Sequence, residues 1–100
     1  MCWYLSTSGY VKWEDLKSII YLTDTFFYDI KHMSPIKHFE LTGVSNKIIL
    51  ENLKKLSKLH NNIIIRIPLI IGYNDQTENL KLMAKFLNKL KKIKYIEILP

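Results

Sequence analysis

An α/β fold of four parallel strands with crossover helices is what this sequence predicts, and three observations lead there. Four short apolar segments, near residues 2–6, 25–30, 63–67 and 95–99, alternate with stretches of helical periodicity. Each intervening stretch is long enough to hold a helix, which makes successive strands parallel and their crossovers right-handed. The second segment, Thr25 to Ile30, has two phenylalanines and a tyrosine without polar alternation, the pattern of a strand buried on both faces. The order β-α-β-αα-β-α-β corresponds to about half of a (β/α) barrel. An open doubly wound sheet is the other arrangement, weakened by the lack of a glycine-rich dinucleotide fingerprint after any strand.

Each element has its own local signal. Cys2 to Ser6 is apolar and runs into Ser6-Thr7-Ser8-Gly9, small polar residues ending in the glycine that a tight turn favours. Residues 12–21 predict a helix, with Trp13, Leu16, Ile19 and Ile20 forming one apolar stripe. After the second strand, Ser34 caps a short helix with Pro35 at its first position, and Gly43 ends it. Ser45 is expected to cap a longer helix, roughly 46–59, with Ile49, Leu53 and Leu56 facing inward, and Asn61-Asn62 breaks it. Ile63 to Ile67 is the most continuously β-branched run, interrupted by Arg66 and closed by Pro68. A loop through Gly72 and Asn74-Asp75 leads to a last helix begun by Thr77 or Asp75. In it Leu80, Met83, Phe86, Leu87 and Leu90 recur at helical steps before the fourth strand.

Composition narrows the function classes. With 48% hydrophobic and 24% charged residues in 100, the chain is globular and makes one small domain or a piece of a larger one. No apolar run is long enough to span a bilayer and no signal-peptide layout opens the sequence, so it reads as a cytoplasmic protein with no membrane contact. The net charge of +6 raises nucleic-acid binding. Yet Lys54, Lys55, Lys58, Lys81, Lys85, Lys89, Lys91 and Lys92 fall on the polar faces of two amphipathic helices, where lysine is the ordinary solvating residue. The expectation is no nucleic-acid partner. A single cysteine, Cys2, makes neither an internal disulfide nor a metal site alone.

A parallel sheet gathers the C-terminal ends of its strands on one rim, here Ser6-Thr7, Asp29-Lys31, Arg66-Pro68 and Leu99-Pro100. Asp29 and Lys31 stand two apart and point to the same side of a regular strand, so their opposite charges could grip a zwitterionic ligand. The same pair would also serve as an ion pair closing the strand. Arg66 inside an aliphatic strand needs a partner, either Asp29 on the neighbouring strand or a bound carboxylate, which a guanidinium recognises in a two-pronged way. His32, His38 and His60 do not make a metal set and read as surface or capping residues. Thr7 and Ser8 offer hydroxyls at the rim, or simply form the turn. Trp3, Tyr4, Phe26, Phe27 and Tyr28 read as core. No catalytic constellation is complete in these residues.

Several motifs occur in a fixed order: Ser6-Thr-Ser-Gly-Tyr10, Tyr28-Asp-Ile-Lys-His-Met33, His38 with Leu41-Thr-Gly-Val-Ser-Asn46, Ile64-Ile-Arg-Ile-Pro-Leu-Ile70, Gly72-Tyr-Asn-Asp75 and Ile96-Glu-Ile-Leu-Pro100. As an ordered set covering nearly the whole chain they resemble the radical S-adenosylmethionine activases of glycyl radical enzymes. The resemblance implies residues 1–100 as one fragment of a partial (β/α) TIM-like barrel, without the N-terminal cluster-binding part or the C-terminal end. It also implies S-adenosylmethionine and a [4Fe–4S] cluster as cofactors of the full-length family, and a glycyl radical enzyme as partner. In that family, reductive cleavage of S-adenosylmethionine generates the radical that is passed to a glycine of the partner. By similarity, Asp29, Ile30 and Lys31 line the cofactor site with Lys31 facing the methionyl carboxylate, and Arg66 matches a strand arginine of the same site. Thr7 and Asp29 match positions near a monovalent cation.

The sequence also departs from the family. It has no CxxxCxxC motif, no glycine-glycine-glutamate segment, and Ser6 stands where an acid is usual. Ile71 replaces a common proline before Gly72. The chain alone is therefore expected to be unable to cleave S-adenosylmethionine. The competing expectation is a non-catalytic α/β binding or interaction module derived from such a barrel.

Overall fold

The computed structural model describes residues 3–90 and 92–100. Four strands, β1 (Tyr4–Thr7), β2 (Thr25–Asp29), β3 (Ile63–Pro68) and β4 (Ile93–Leu99), pair in chain order, and every pair is parallel. Between them lie helices α1 (Trp13–Ser18), α2 (Pro35–Thr42), α3 (Lys47–Leu59) and α4 (Thr77–Asn88). The parallel α/β architecture expected from the sequence is the one observed.

Register explains which residues form the core. Leu5, Phe26, Ile63 and Ile93 stand side by side across the sheet, and so do Thr7, Tyr28, Ile65 and Ile96. Phe26, Tyr28, Ile63, Ile65 and Ile67 pack with Leu16 and Ile20, with Ile49, Leu53 and Leu56 of α3, and with Met83 and Leu87 of α4. One face of the sheet thus carries all these helices. The opposite face holds the alternate rows, Ser6–Phe27–Ile64–Tyr95 and then Asp29–Arg66–Glu97. Tyr95 is half exposed there, while on the helical side Ile96 and Ile98 of the edge strand are also left open. Trp3 and Tyr4, expected in the core, are 60% and 64% exposed because β1 is the other edge and nothing described covers it.

Several boundaries moved for local reasons. The first helix stops at Ser18, and a 3-10 turn, Ile20–Leu22, takes over, so Tyr21 and Leu22 face outward while Ile20 stays buried. The first strand begins at Tyr4, and the Cys2 assigned to it lies outside the described residues. Ser34 caps α2 as expected, accepting from the Lys37 N–H, and Gly43 closes that helix at φ +78°. The N-cap position of α3 belongs to Asn46, not Ser45, although the Ser45 hydroxyl accepts from the Lys47 N–H. α4 starts at Thr77, one of the two expected positions; Gln76 holds its N-cap without a side-chain bond, and Asp75 accepts from the Gly72 N–H. β4 begins at Ile93, two residues before the expected start, and its pairing with β3 shifts register between Ile63 and Ile64. Two lysines do more than solvate: Lys54 lies over the Phe86 ring and Lys55 over Trp13.

Candidate functional site

The strands deliver charge to one row. Asp29 is the register partner of Arg66, and Arg66 of Glu97, so an acid, a guanidinium and a second acid lie side by side on the helix-free face. Adjacent parallel strands stand about 4.8 Å apart, which makes these three positions neighbours across the sheet. All three are half-buried. The Arg66 guanidinium carbon sits 4.0 Å from the centroid of the Phe27 ring, one row below. Its Nε is buried and has no hydrogen-bond partner among the described residues. A buried N–H donor without an acceptor is costly, and a carboxylate oxygen is the strong acceptor that would satisfy it. Glu97 was not singled out from the sequence; Arg66 in the same row is the signal that could have found it.

Lys31 comes two residues after the end of β2, and the ladder continues for one residue as the Ile30 N–H donates to the Arg66 carbonyl. Beyond that point the backbone is held by side chains. Asn74 donates to the carbonyls of Lys31 and Pro68, Asn46 to those of His32 and Met33, and Asn79 accepts from the Met33 N–H. A fourth buried asparagine, Asn52, does the same for the turn after β1, donating to the carbonyls of Gly9 and Val11. None of these asparagines was assigned a site role from the sequence. In that turn the Thr7 hydroxyl accepts from the Gly9 N–H, so Thr7 forms the turn.

The histidines correct a second expectation. His32 and His38 are buried, not on the surface. His32 Nδ1 accepts from the Ser34 N–H, its ring meets Tyr73 edge-on, and its pKa is lowered, first by burial and then by the positive charge of Lys37. His38 Nδ1 lies 2.8 Å from the Val44 carbonyl just past α2, a capping role. His60 Nε2 lies 2.7 Å from the Thr23 carbonyl. Among the described residues no three His, Cys, Asp or Glu side chains could jointly hold a metal ion, and no helix is long and apolar enough to cross a membrane.

Comparison with known proteins gives this geometry its context. No family model matches the chain. It is 46% identical over 98 residues to the trans-4-hydroxy-L-proline dehydratase activating enzyme of Clostridioides difficile, a match covering 96% of this chain and 32% of that protein. It is 38% identical over 99 residues to the choline trimethylamine-lyase activating enzyme of Oleidesulfovibrio alaskensis, again covering 96% of this chain and 32% of the relative. A solved domain of pyruvate-formate lyase-activating enzyme from Bacteroides vulgatus superposes with a TM-score of 0.93 at 29% identity, covering 100% of this chain and 63% of that one. The chain spans about a third of the length of the curated relatives it matches. In sequence and in fold, it belongs with the glycyl radical enzyme activating enzymes as a segment of them.

Proposed function

We propose that this chain forms part of the barrel wall and part of the S-adenosylmethionine pocket of a glycyl radical enzyme activating enzyme. The observation that carries the proposal is Arg66, flanked in register by Asp29 and Glu97, with a buried Nε that no group among the described residues satisfies. Asp29, Ile30, Lys31 and Arg66 are the binding residues. Lys31 and Arg66 bring positive charge to a methionyl carboxylate, and Asp29 opposes the cationic end of the same zwitterion. The cofactor, when bound, supplies the radical chemistry of the family; these residues bind and orient it. A three-cysteine iron–sulfur site does not fit this chain, whose only cysteine is Cys2. The cluster thiolates would come from another part of the activating enzyme, and the glycyl radical enzyme would be its protein partner.

The test uses a chimera in which this chain replaces the aligned segment of the Clostridioides difficile activating enzyme. Lys31→Ala and Arg66→Ala should each weaken equilibrium S-adenosylmethionine binding by about tenfold or more, the effect of losing one charge-assisted hydrogen bond. Unchanged affinity in both variants would refute the assignment.

A further inference from the structure

We infer that Asn46, Asn74 and Asn79 act together as a clamp on residues 31–33 and are positioning residues for Lys31. The inference deepens the proposed cofactor pocket and rests on it, since only there does Lys31 have a ligand to face. The three asparagines come from three places: the N-cap of α3, the loop after β3 and the first turn of α4. All are buried, Asn74 completely.

Their bonds converge on one short stretch. Asn74 Nδ2 donates to the Lys31 carbonyl at 2.9 Å and to the Pro68 carbonyl at 2.7 Å, tying the end of β2 to the end of β3. Asn46 Nδ2 donates to the carbonyls of His32 at 3.0 Å and Met33 at 2.9 Å. Asn79 Oδ1 accepts from the Met33 N–H at 3.0 Å, and its Nδ2 donates to the Asn74 carbonyl at 2.9 Å, so one clamp residue braces another. Three consecutive carbonyls and one N–H are thus satisfied by amide side chains from elsewhere in the chain.

Irregular buried backbone needs such partners, and asparagine alone among short side chains offers two N–H donors together with a carbonyl acceptor. The placement of Asn46 is informative. An N-cap asparagine normally bonds its own helix, but Asn46 gives α3 no side-chain bond and its amide reaches back to the loop instead. With the backbone of residues 31–33 fixed, the lysine stem starts from one point, and less conformational freedom is lost when its ammonium meets a ligand. A residue that acts only through Lys31 leaves a measurable signature, because its effect disappears when Lys31 is gone.

Two measurements test the inference. Amide exchange on this chain reads the clamp: Asn79→Ala should speed exchange at Met33 about tenfold. Asn79→Asp, which keeps the acceptor, should restore most of the protection. Binding in the chimera reads the consequence. Asn74→Asp, which loses both donors, should weaken S-adenosylmethionine binding about tenfold, and by less than about twofold in the Lys31→Ala background. Asn46→Asp serves the same comparison should Asn74→Asp fail to fold. Equal losses in both backgrounds would make the asparagines structural only and overturn the inference, as would unchanged exchange at Met33. An unchanged affinity in Lys31→Ala itself would sink the positioning role, and an unchanged affinity in Arg66→Ala as well would sink the pocket reading, while the exchange result separately decides whether the clamp exists.

Discussion

Gly9→Ala should be among the most damaging single-atom additions to this chain. Gly9 has φ +80°, where a β-carbon alone costs about 1 kcal/mol. The added carbon would also overlap the hydroxyl and Cζ of Tyr28. That ring cannot step aside cheaply: Tyr28 is 0% exposed, and its hydroxyl donates to the Ile49 carbonyl in α3. Displacing it forfeits a buried hydrogen bond, about 1 kcal/mol, and overpacks the core by about 1–3 kcal/mol. The total is about 3–5 kcal/mol, a large share of the stability of a small domain. Urea unfolding followed by far-UV circular dichroism measures it, with the slope checked for constancy between variants. A loss below about 1 kcal/mol would show that the ring does not press on Gly9. A full loss persisting in a Tyr28→Ala background would place the cost in the backbone alone.

Two further outcomes follow from groups already described. Burial and Lys37 hold the His32 pKa below its ordinary 6.5, so the unfolded chain takes up this proton first. Stability should therefore fall as pH drops through about 6.5 and level off below the folded pKa. His32→Gln should flatten this dependence, and equal slopes in both proteins would count against it. The purified chain, reconstituted anaerobically with iron and sulfide, should show no [4Fe–4S] absorbance, because it has only Cys2 as a thiolate. A stoichiometric cluster on this chain would contradict that outcome.

The topology was legible because each helix announces itself by periodicity and each strand by a run of β-branched or aromatic residues. Pro35 at the start of α2 and Gly43 at its end are local signals with local causes, and both are observed. The meeting of Asp29 and Arg66 was also legible, since parallel neighbours with matched strand ends must bring those positions together. What failed depended on partners distant in the chain. Nothing near Trp3 or Tyr4 says that β1 is an edge strand, so their exposure is a tertiary fact. The four buried asparagines look like ordinary turn and helix-surface residues until the loops they hold are in place. The burial of His32 was missed for the same reason, since its ring packs edge-on against Tyr73 from the loop after β3, whereas His38 fills one of the two roles expected of it, capping α2.

The register shift between Ile63 and Ile64 decides which way the last strand looks. Ile63 pairs with Ile93 and Ile64 with Tyr95, so Lys94 is one residue in surplus. Strand alternation has a period of two, and a single extra residue inverts the parity of everything downstream. Were Lys94 instead paired with Ile64 in an unbroken ladder, Glu97 would stand opposite Ile67 on the oily side of the sheet, and Ile96 would take its place beside the guanidinium. One unpaired lysine at the start of the strand thus sets the handedness of its whole charge display.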